Sequence, residues 1–335
     1  MLQWPLPMKA SARSLRLSLL LLTVAVVLVA GCVVKTNPST EKTVPHEGDW
    51  GIYALDPSTE EVELIWSCSE TISHLCLNHA GDEFAFSRKI GGDLDSNEEV
   101  FVIGVDGTGL RQLTSNNYRD LYPCYSPDDS KIAFLSWPGP TLDVYVMSSD
   151  GSGQKLLYDS GAHDADISWG GGGRIAFTRN SQIWTMKDDG SDARQITNPP
   201  KAGQWGRDGI NLPFGDYDPR FSPDGSRIAF ERLEDDTSLH GNYNLFVIDS
   251  TGTGETRLTD TGYSQGLAIW SHSGDKLVYV VAAVGSEGKY DIHMIDSDGS
   301  NDQNITPDYF PAGFLCHAAM FSKDDSKVYF TGQWY

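Results

Sequence analysis

Basic residues are in short supply in this chain. It has 25 Lys and Arg against 46 Asp and Glu over 335 residues, a net charge of −21. Nucleic-acid binding depends on Lys and Arg neutralising phosphates, so that class is excluded. The acidic balance suits solubility outside the cell, or the attraction of a cationic partner. Cysteine is sparse too, with five residues and no Cys-x-x-Cys pair, which argues against a structural zinc site. The one long apolar run lies at the N-terminus.

That run reads as a targeting segment. Lys9, Arg13 and Arg16 precede an apolar stretch from Leu17 to Ala30, the charge order of an export signal. It ends in Val29-Ala30-Gly31-Cys32, which resembles a bacterial lipoprotein cleavage site. Residues 1–31 are therefore expected to be a signal peptide, with Cys32 lipidated as the first mature residue. An uncleaved span is the alternative, since Leu17 to Val34 approaches the length that crosses a bilayer. Either way the chain is exported. It is expected to be held on the cell envelope by its acyl chains, on the periplasmic face of an outer membrane or the outer face of a cell membrane. Residues 32–47 read as a flexible polar tether, which at roughly 3.3 Å per residue reaches up to about 50 Å. Cys68, Cys76, Cys124 and Cys316 remain. An exported chain permits either two bridges or free thiols.

From residue 48 onward one phrase recurs six times: a turn, then a small-to-apolar strand ending in an aromatic. Ser126-Pro127-Asp128-Asp129-Ser130-Lys131-Ile132-Ala133-Phe134 and Ser222-Pro223-Asp224-Gly225-Ser226-Arg227-Ile228-Ala229-Phe230 are clear copies. The closing aromatics are Phe86, Phe134, Phe177, Phe230, Tyr279 and Phe330, 43 to 53 residues apart. A period of that size belongs to four-stranded propeller blades. Each phrase is followed by an alternating strand, often an Asp-Gly turn, and a strand ending near Leu-Thr. Glycine supplies the positive φ of a tight hairpin, and aspartate bonds its own backbone. The residue before each phrase is Leu77, Tyr125, Trp169, Phe221, Trp270 or Phe321, expected to fill the gap between neighbouring sheets.

The last copy stops after its second strand, and the missing outer strands match residues 50–56 and 62–66. The expected fold is thus all-β: a six-bladed β-propeller of four-stranded antiparallel blades over residues 48–335, closed by strands from both termini. Closure removes the exposed strand edges of an open array. The insert 198–219 is the one stretch long enough to hide a seventh blade.

These repeats resemble those of the TolB family, the periplasmic propeller of the Tol-Pal envelope system. Similar repeats occur in tricorn and dipeptidyl-peptidase propellers. The likeness covers residues 48–335, and the run 222–230 carries it best. TolB itself has a further α/β domain ahead of its propeller, where this chain has only a short tether. The resemblance implies a propeller that serves as a protein-binding platform.

Candidate sites follow from where the repeat is irregular. Asp120, Asp164, Asp166, Asp216 and Asp218 fall shortly ahead of the packing aromatics, and His74, His163 and His317 lie in the corresponding segments. These segments approach the central channel at one face. Carboxylates converging there would bind Ca²⁺ through oxygen ligands or attract a basic peptide end; alternatively each caps its own turn. In the insert, Trp205, Arg207 and Phe214 are expected as exposed interface material. Gly262-Tyr263-Ser264-Gln265-Gly266 fits the nucleophile elbow of serine hydrolases, but no helical pattern follows it.

The leading expectation is a monomeric, non-catalytic, membrane-tethered scaffold of the cell envelope that binds a protein or peptide. The alternative is a metal-assisted lyase or hydrolase acting on envelope saccharides or peptides in the channel.

Overall fold

The turn that opens each repeat is built from its own side chains. Ser126 donates to Asp128 at 2.7 Å while Lys131 N–H donates back to the Ser126 hydroxyl at 3.0 Å. Ser222 with Asp224 and Ser322 with Asp324 repeat the arrangement. Hydroxyl donors of the turn, Ser126 and Ser222 first at Asp128 and Asp224 and Ser326 ahead of Ser322 at Asp324, hold these carboxyls down at about 2. The Leu-Thr phrase has an equally local role. The hydroxyls of Thr114, Thr197, Thr259 and Thr306 each accept the N–H of a third-strand residue, respectively Val100, Ile183, Leu245 and Ile292, at 2.7–2.9 Å. This satisfies a donor that the two-residue outer strand leaves unpaired.

A computed structural model describes residues 42–335 except 92–96, 208–209, 238–240 and 285–288. The expected signal peptide and Cys32 lie outside the described residues. The strands form six four-stranded antiparallel sheets. From the inside outward, blade one is Ile72–Leu77, Glu83–Lys89, Glu98–Gly104 and Arg111–Gln112. Blade two is Asp120–Tyr125, Lys131–Ser136, Asp143–Ser148 and Lys155–Tyr158. Blade three is Asp164–Gly170, Arg174–Arg179, Gln182–Lys187 and Arg194–Gln195. Blade four is Gly215–Phe221, Arg227–Asp235, Asn242–Asp249 and Thr256–Arg257. Blade five is Ser264–Trp270, Lys276–Val284, Lys289–Asp296 and Gln303–Asn304. Blade six takes Phe314–Phe321 and Val328–Trp334 from the C-terminus, then Trp50–Asp56 and Glu61–Cys68 from the N-terminus. Trp50 pairs with Gln333 and Leu55 with Val328, so the seam is a continuous antiparallel ladder. The inner strands touch their neighbours all the way round the ring. Among the described residues the insert 198–214 adds no strand, so there is no seventh blade.

The repeat's closing aromatics are the deepest part of the core: all six are at most 1% exposed. The residue before each phrase wedges between blades as expected. Trp270 packs with Ala229 and Leu245 of blade four, and Phe321 with Val278 and Val280 of blade five. The Asp-Gly turns supply a second inter-blade contact. A Cβ on Gly107, Gly151, Gly190, Gly252 or Gly299 would meet a carbonyl oxygen of the preceding blade's outer edge, at 2.3 to 3.2 Å. All five have positive φ.

Strand polarity sorts the loops. The inner strands begin at the end of the ring that carries the connections 137–142 and 198–214, and the Ser-Asp turns lie at the other. The end of the expected tether lies along blade six. His46 stacks on Trp334 at 4.0 Å, Tyr53 donates to Pro45 O, and Val44 is buried among Phe310, Phe314 and Phe330. Lys42 reaches the Thr59 carbonyl in the turn between Asp56 and Glu61. The chain therefore meets the propeller at the end opposite the long loops.

Candidate functional site

Every inner strand is bulged, and each bulge holds a residue in the left-handed region. These are His74, Tyr122, Asp166, Asp218, Leu267 and Ala318, with φ between +20° and +58°. Residues other than glycine pay for this conformation, and such strain collects at functional sites. The six positions are equivalent by repeat and form one ring. Its chemistry is lopsided: blades one to four contribute polar side chains, blades five and six apolar ones.

The polar half is a connected cluster. The His74 ring stacks on Tyr122 at 3.5 Å. The Tyr122 hydroxyl donates to Asp218 at 3.3 Å, reaching past blade three. Arg220, two residues beyond Asp218, lies 3.5 Å from its carboxylate and donates to the Ile167 carbonyl at 3.1 Å. Glu231, on the second strand of blade four, accepts the Leu267 N–H at 3.0 Å. Three buried carboxyls, Asp166, Asp218 and Glu231, thus face one guanidinium. Burial, then Asp166, pushes the Asp218 carboxyl up to about 7. Glu231 is raised well above its ordinary value by burial and then by Asp218. His74 is held neutral by burial, with Arg220 adding to the effect. Asp218 Oδ2 and His74 Nδ1 have no hydrogen-bond partner. The cluster is an acidic, incompletely satisfied centre.

Of the expected channel residues, Asp166, Asp218 and His74 belong to this cluster. Asp120, Asp164 and Asp216 sit two residues earlier and cap their surroundings instead. Asp120 accepts from Ser136 and Asn116, Asp164 from Ser160, and Asp216 from Nε and Nη2 of Arg232. Burial raises the Asp164 carboxyl to about 6. His163 is exposed, takes the Leu142 N–H on Nδ1 and meets Trp137 edge-on. His317 precedes the bulge residue of blade six. It packs against Trp50 and Tyr290, and burial lowers it to about 4.

The insert separates in the same way. Trp205 is 67% exposed, as expected. Arg207 is pinned to Asp236 through its N–H and Nε, both at 2.7 Å. Phe214 corrects the expectation of an exposed aromatic. It is 9% exposed and closes a small core with Ile210, Tyr217, Leu233 and Tyr243, because the insert folds back over blade four. Asp208 lies outside the described residues. Ser264 opens the inner strand of blade five and is 3% exposed, with no helix after it, so the elbow pattern is coincidental.

Asp166, Asp218 and Glu231 carry the buried carboxyl oxygens of the centre. Among the described residues no three His, Cys, Asp or Glu group closely enough to hold a metal ion. Tyr122, Arg220 and Glu231 were not singled out by sequence. The signal for Tyr122 was present, since it follows Asp120 by two as Asp166 follows Asp164.

Comparison with known proteins adds the following. A family model described as the lipoprotein LpqB beta-propeller domain matches residues 121–261. A TolB homolog of Chlorobium luteolum is 29% identical over 164 residues, covering 48% of this chain and 33% of that protein. The chain thus aligns with about a third of that relative's length. A TolB-type structure from Agrobacterium tumefaciens superposes with a TM-score of 0.66 at 16% identity, covering 86% of this chain and 98% of the other. TolB from Acinetobacter baumannii gives 0.52 at 18%, covering 78% and 64%.

Proposed function

We infer a function for this chain as a member of the TolB-like six-bladed propeller repeat family. We propose that it is a non-catalytic binding protein of the cell envelope, lipid-anchored through Cys32. Its partner is a protein or peptide that presents a basic group to the acidic centre of the ring. The observation that carries this is the excess of buried carboxyls over cations around Asp218, whose Oδ2 lacks a partner. A lysine, arginine or terminal ammonium would satisfy that oxygen and restore ionisation of the neighbouring carboxyls. Ca²⁺, which also takes carboxylate oxygens, is the control occupant, although among the described residues no three carboxyls group closely enough to hold it. The long loops rim the end of the ring where the inner strands begin. The segment at residues 42–47 leaves from the other end, so an anchored propeller presents these loops away from the membrane.

The test is affinity capture from envelope extracts by the native chain and by Asp166→Asn. The reading expects one specific partner to be lost in the variant while urea unfolding stays cooperative. Calcium titration by calorimetry is run alongside. Equal capture by both proteins overturns the placement, and tight Ca²⁺ binding abolished by Asp166→Asn would assign the centre to the metal.

A further inference from the structure

The outer strands of blades one, three, four and five run into equivalent triplets: Gln112-Leu113-Thr114, Gln195-Ile196-Thr197, Arg257-Leu258-Thr259 and Asn304-Ile305-Thr306. The threonine hydroxyl of each accepts a third-strand N–H, as described above. The first residue has a task of its own. Gln112 Nε2, Gln195 Nε2 and Arg257 Nε each donate to the carbonyl of the threonine two residues on, at 2.7 Å. That bond needs a side chain long enough to reach forward along the strand.

Asn304 departs from the repeat. Its side chain is one methylene shorter than glutamine, and its amide is used the other way round. Oδ1 accepts the Thr306 N–H at 2.8 Å, an Asx turn. Nδ2 donates to Asp291 Oδ2 at 3.2 Å, at the exposed surface. Asn304 is exposed on the outermost strand of blade five, whereas Ile305 and Thr306 are half-buried.

The same departure creates a triplet found at no other asparagine of the sequence: Asn, a residue other than proline, then Ser or Thr. Asn37-Pro38-Ser39 is blocked by its proline. Such a triplet is the acceptor of N-linked saccharide where the asparagine is exposed and the chain is exported. Exposure is met by the fold. Export is the reading of the N-terminal segment, and the inference rests on it.

We propose that Asn304 is an N-glycosylation site, modified after export by a membrane transferase that uses a lipid-diphosphate-linked saccharide. A bond forms between Asn304 Nδ2 and C1 of the sugar. The C1–O bond to the diphosphate breaks, the lipid diphosphate leaves, and the amide proton passes to a base of the transferase. The product amide keeps its oxygen and one N–H, so neither hydrogen bond of Asn304 has to be given up. The saccharide stands on the circumference of the ring, away from the central cluster. There it also shields the edge of blade five from pairing with another strand.

The experiment purifies the chain from the membranes of its own cells and measures the tryptic peptide 290–323 by mass spectrometry, recording saccharide fragment ions. Native chain is expected to carry saccharide on Asn304. Asn304→Gln is expected to lose it with an unchanged melting temperature, because Gln112 and Gln195 already fill the equivalent place. Thr306→Ser keeps both the triplet and the hydroxyl, and is expected to remain modified. Fractionation of the same cells reports export separately. An exported chain with an unmodified Asn304 overturns the proposal, as does saccharide that persists on the peptide in Asn304→Gln. A chain retained inside the cell overturns the export reading and the proposal with it, but leaves the acidic centre as a binding site.

Discussion

The ring's closure rests on a contact that a single methyl group can test. Gly107 lies at the tip of the Asp-Gly turn of blade one with φ +77°, and a Cβ there would stand 2.3 Å from the Ile65 carbonyl oxygen. Ile65 belongs to the outer strand that the N-terminal half lends to blade six, so this contact joins the seam to the next blade. Gly109, two residues on, has φ +72° and nothing within 4 Å of its Cβ. Alanine at either site pays about 1–2 kcal/mol for a left-handed conformation. Reduced freedom of the unfolded chain returns about 0.5–1 kcal/mol. Only Gly107→Ala must also push a backbone carbonyl outward by about an ångström, an overpacking cost of about 1–3 kcal/mol. The expected losses are therefore about 2–4 kcal/mol for Gly107→Ala and about 1 kcal/mol or less for Gly109→Ala. Urea unfolding followed by tryptophan fluorescence measures both, with the slope checking that the transition stays two-state. Equal losses would mean that the turn does not press on the outer strand of blade six, and the account of how neighbouring blades are joined would fail.

Stability should depend on pH through Asp218. Its folded carboxyl, at about 7, holds a proton that the unfolded carboxyl has released, so stability is lost as pH rises from about 4 to about 7. Asp218→Asn should flatten that slope, and an unchanged profile would show that the carboxyl is ionised in the fold. Opposite behaviour belongs to Asp128, Asp224 and Asp324, whose contribution is present above about pH 4 and is lost as pH falls through about 2. In the insert, Phe214→Ala should cost about 3–5 kcal/mol by emptying the small core over blade four, while Trp205→Ala stays within about 0.5 kcal/mol. Thermal melts distinguish the two, and equal melting points would contradict the burial of Phe214.

The period of the closing aromatics was readable because packing repeats it: Phe86 through Phe330 each meet the same surroundings, so one rule writes all six. The termini closed the count for the same reason, since residues 50–56 carry third-strand spacing with no second strand ahead of them in sequence. The site resisted because it depends on a bulge. Asp164 and Asp166 look alike in sequence, yet the extra residue in the inner strand leaves one capped by Ser160 and turns the other into the ring. Register shifts of that kind follow from tertiary ladders, not from alternation. Phe214 was misplaced because exposure of an insert cannot be read without knowing what it folds over.

Repetition also explains why the proposed site sits where it does. Six equivalent bulges would build a symmetric channel if packing alone chose their residues. Instead His74, Tyr122, Asp166 and Asp218 occupy one arc and Leu267 and Ala318 the other, and the positions two residues on divide likewise, with Arg220 set against Ile269 and Met320. Burying three carboxyls and leaving Asp218 Oδ2 unpartnered costs stability, and nothing in the repeat requires it, since blades five and six fold with apolar residues at the same places. The insert 198–214 rises over blade four, the blade that supplies Asp218, Arg220 and Glu231. The break in symmetry of the channel and the break in symmetry of the loops therefore coincide. On the proposed function, a partner approaching from the loop-bearing end would meet the insert first and the acidic arc beneath it.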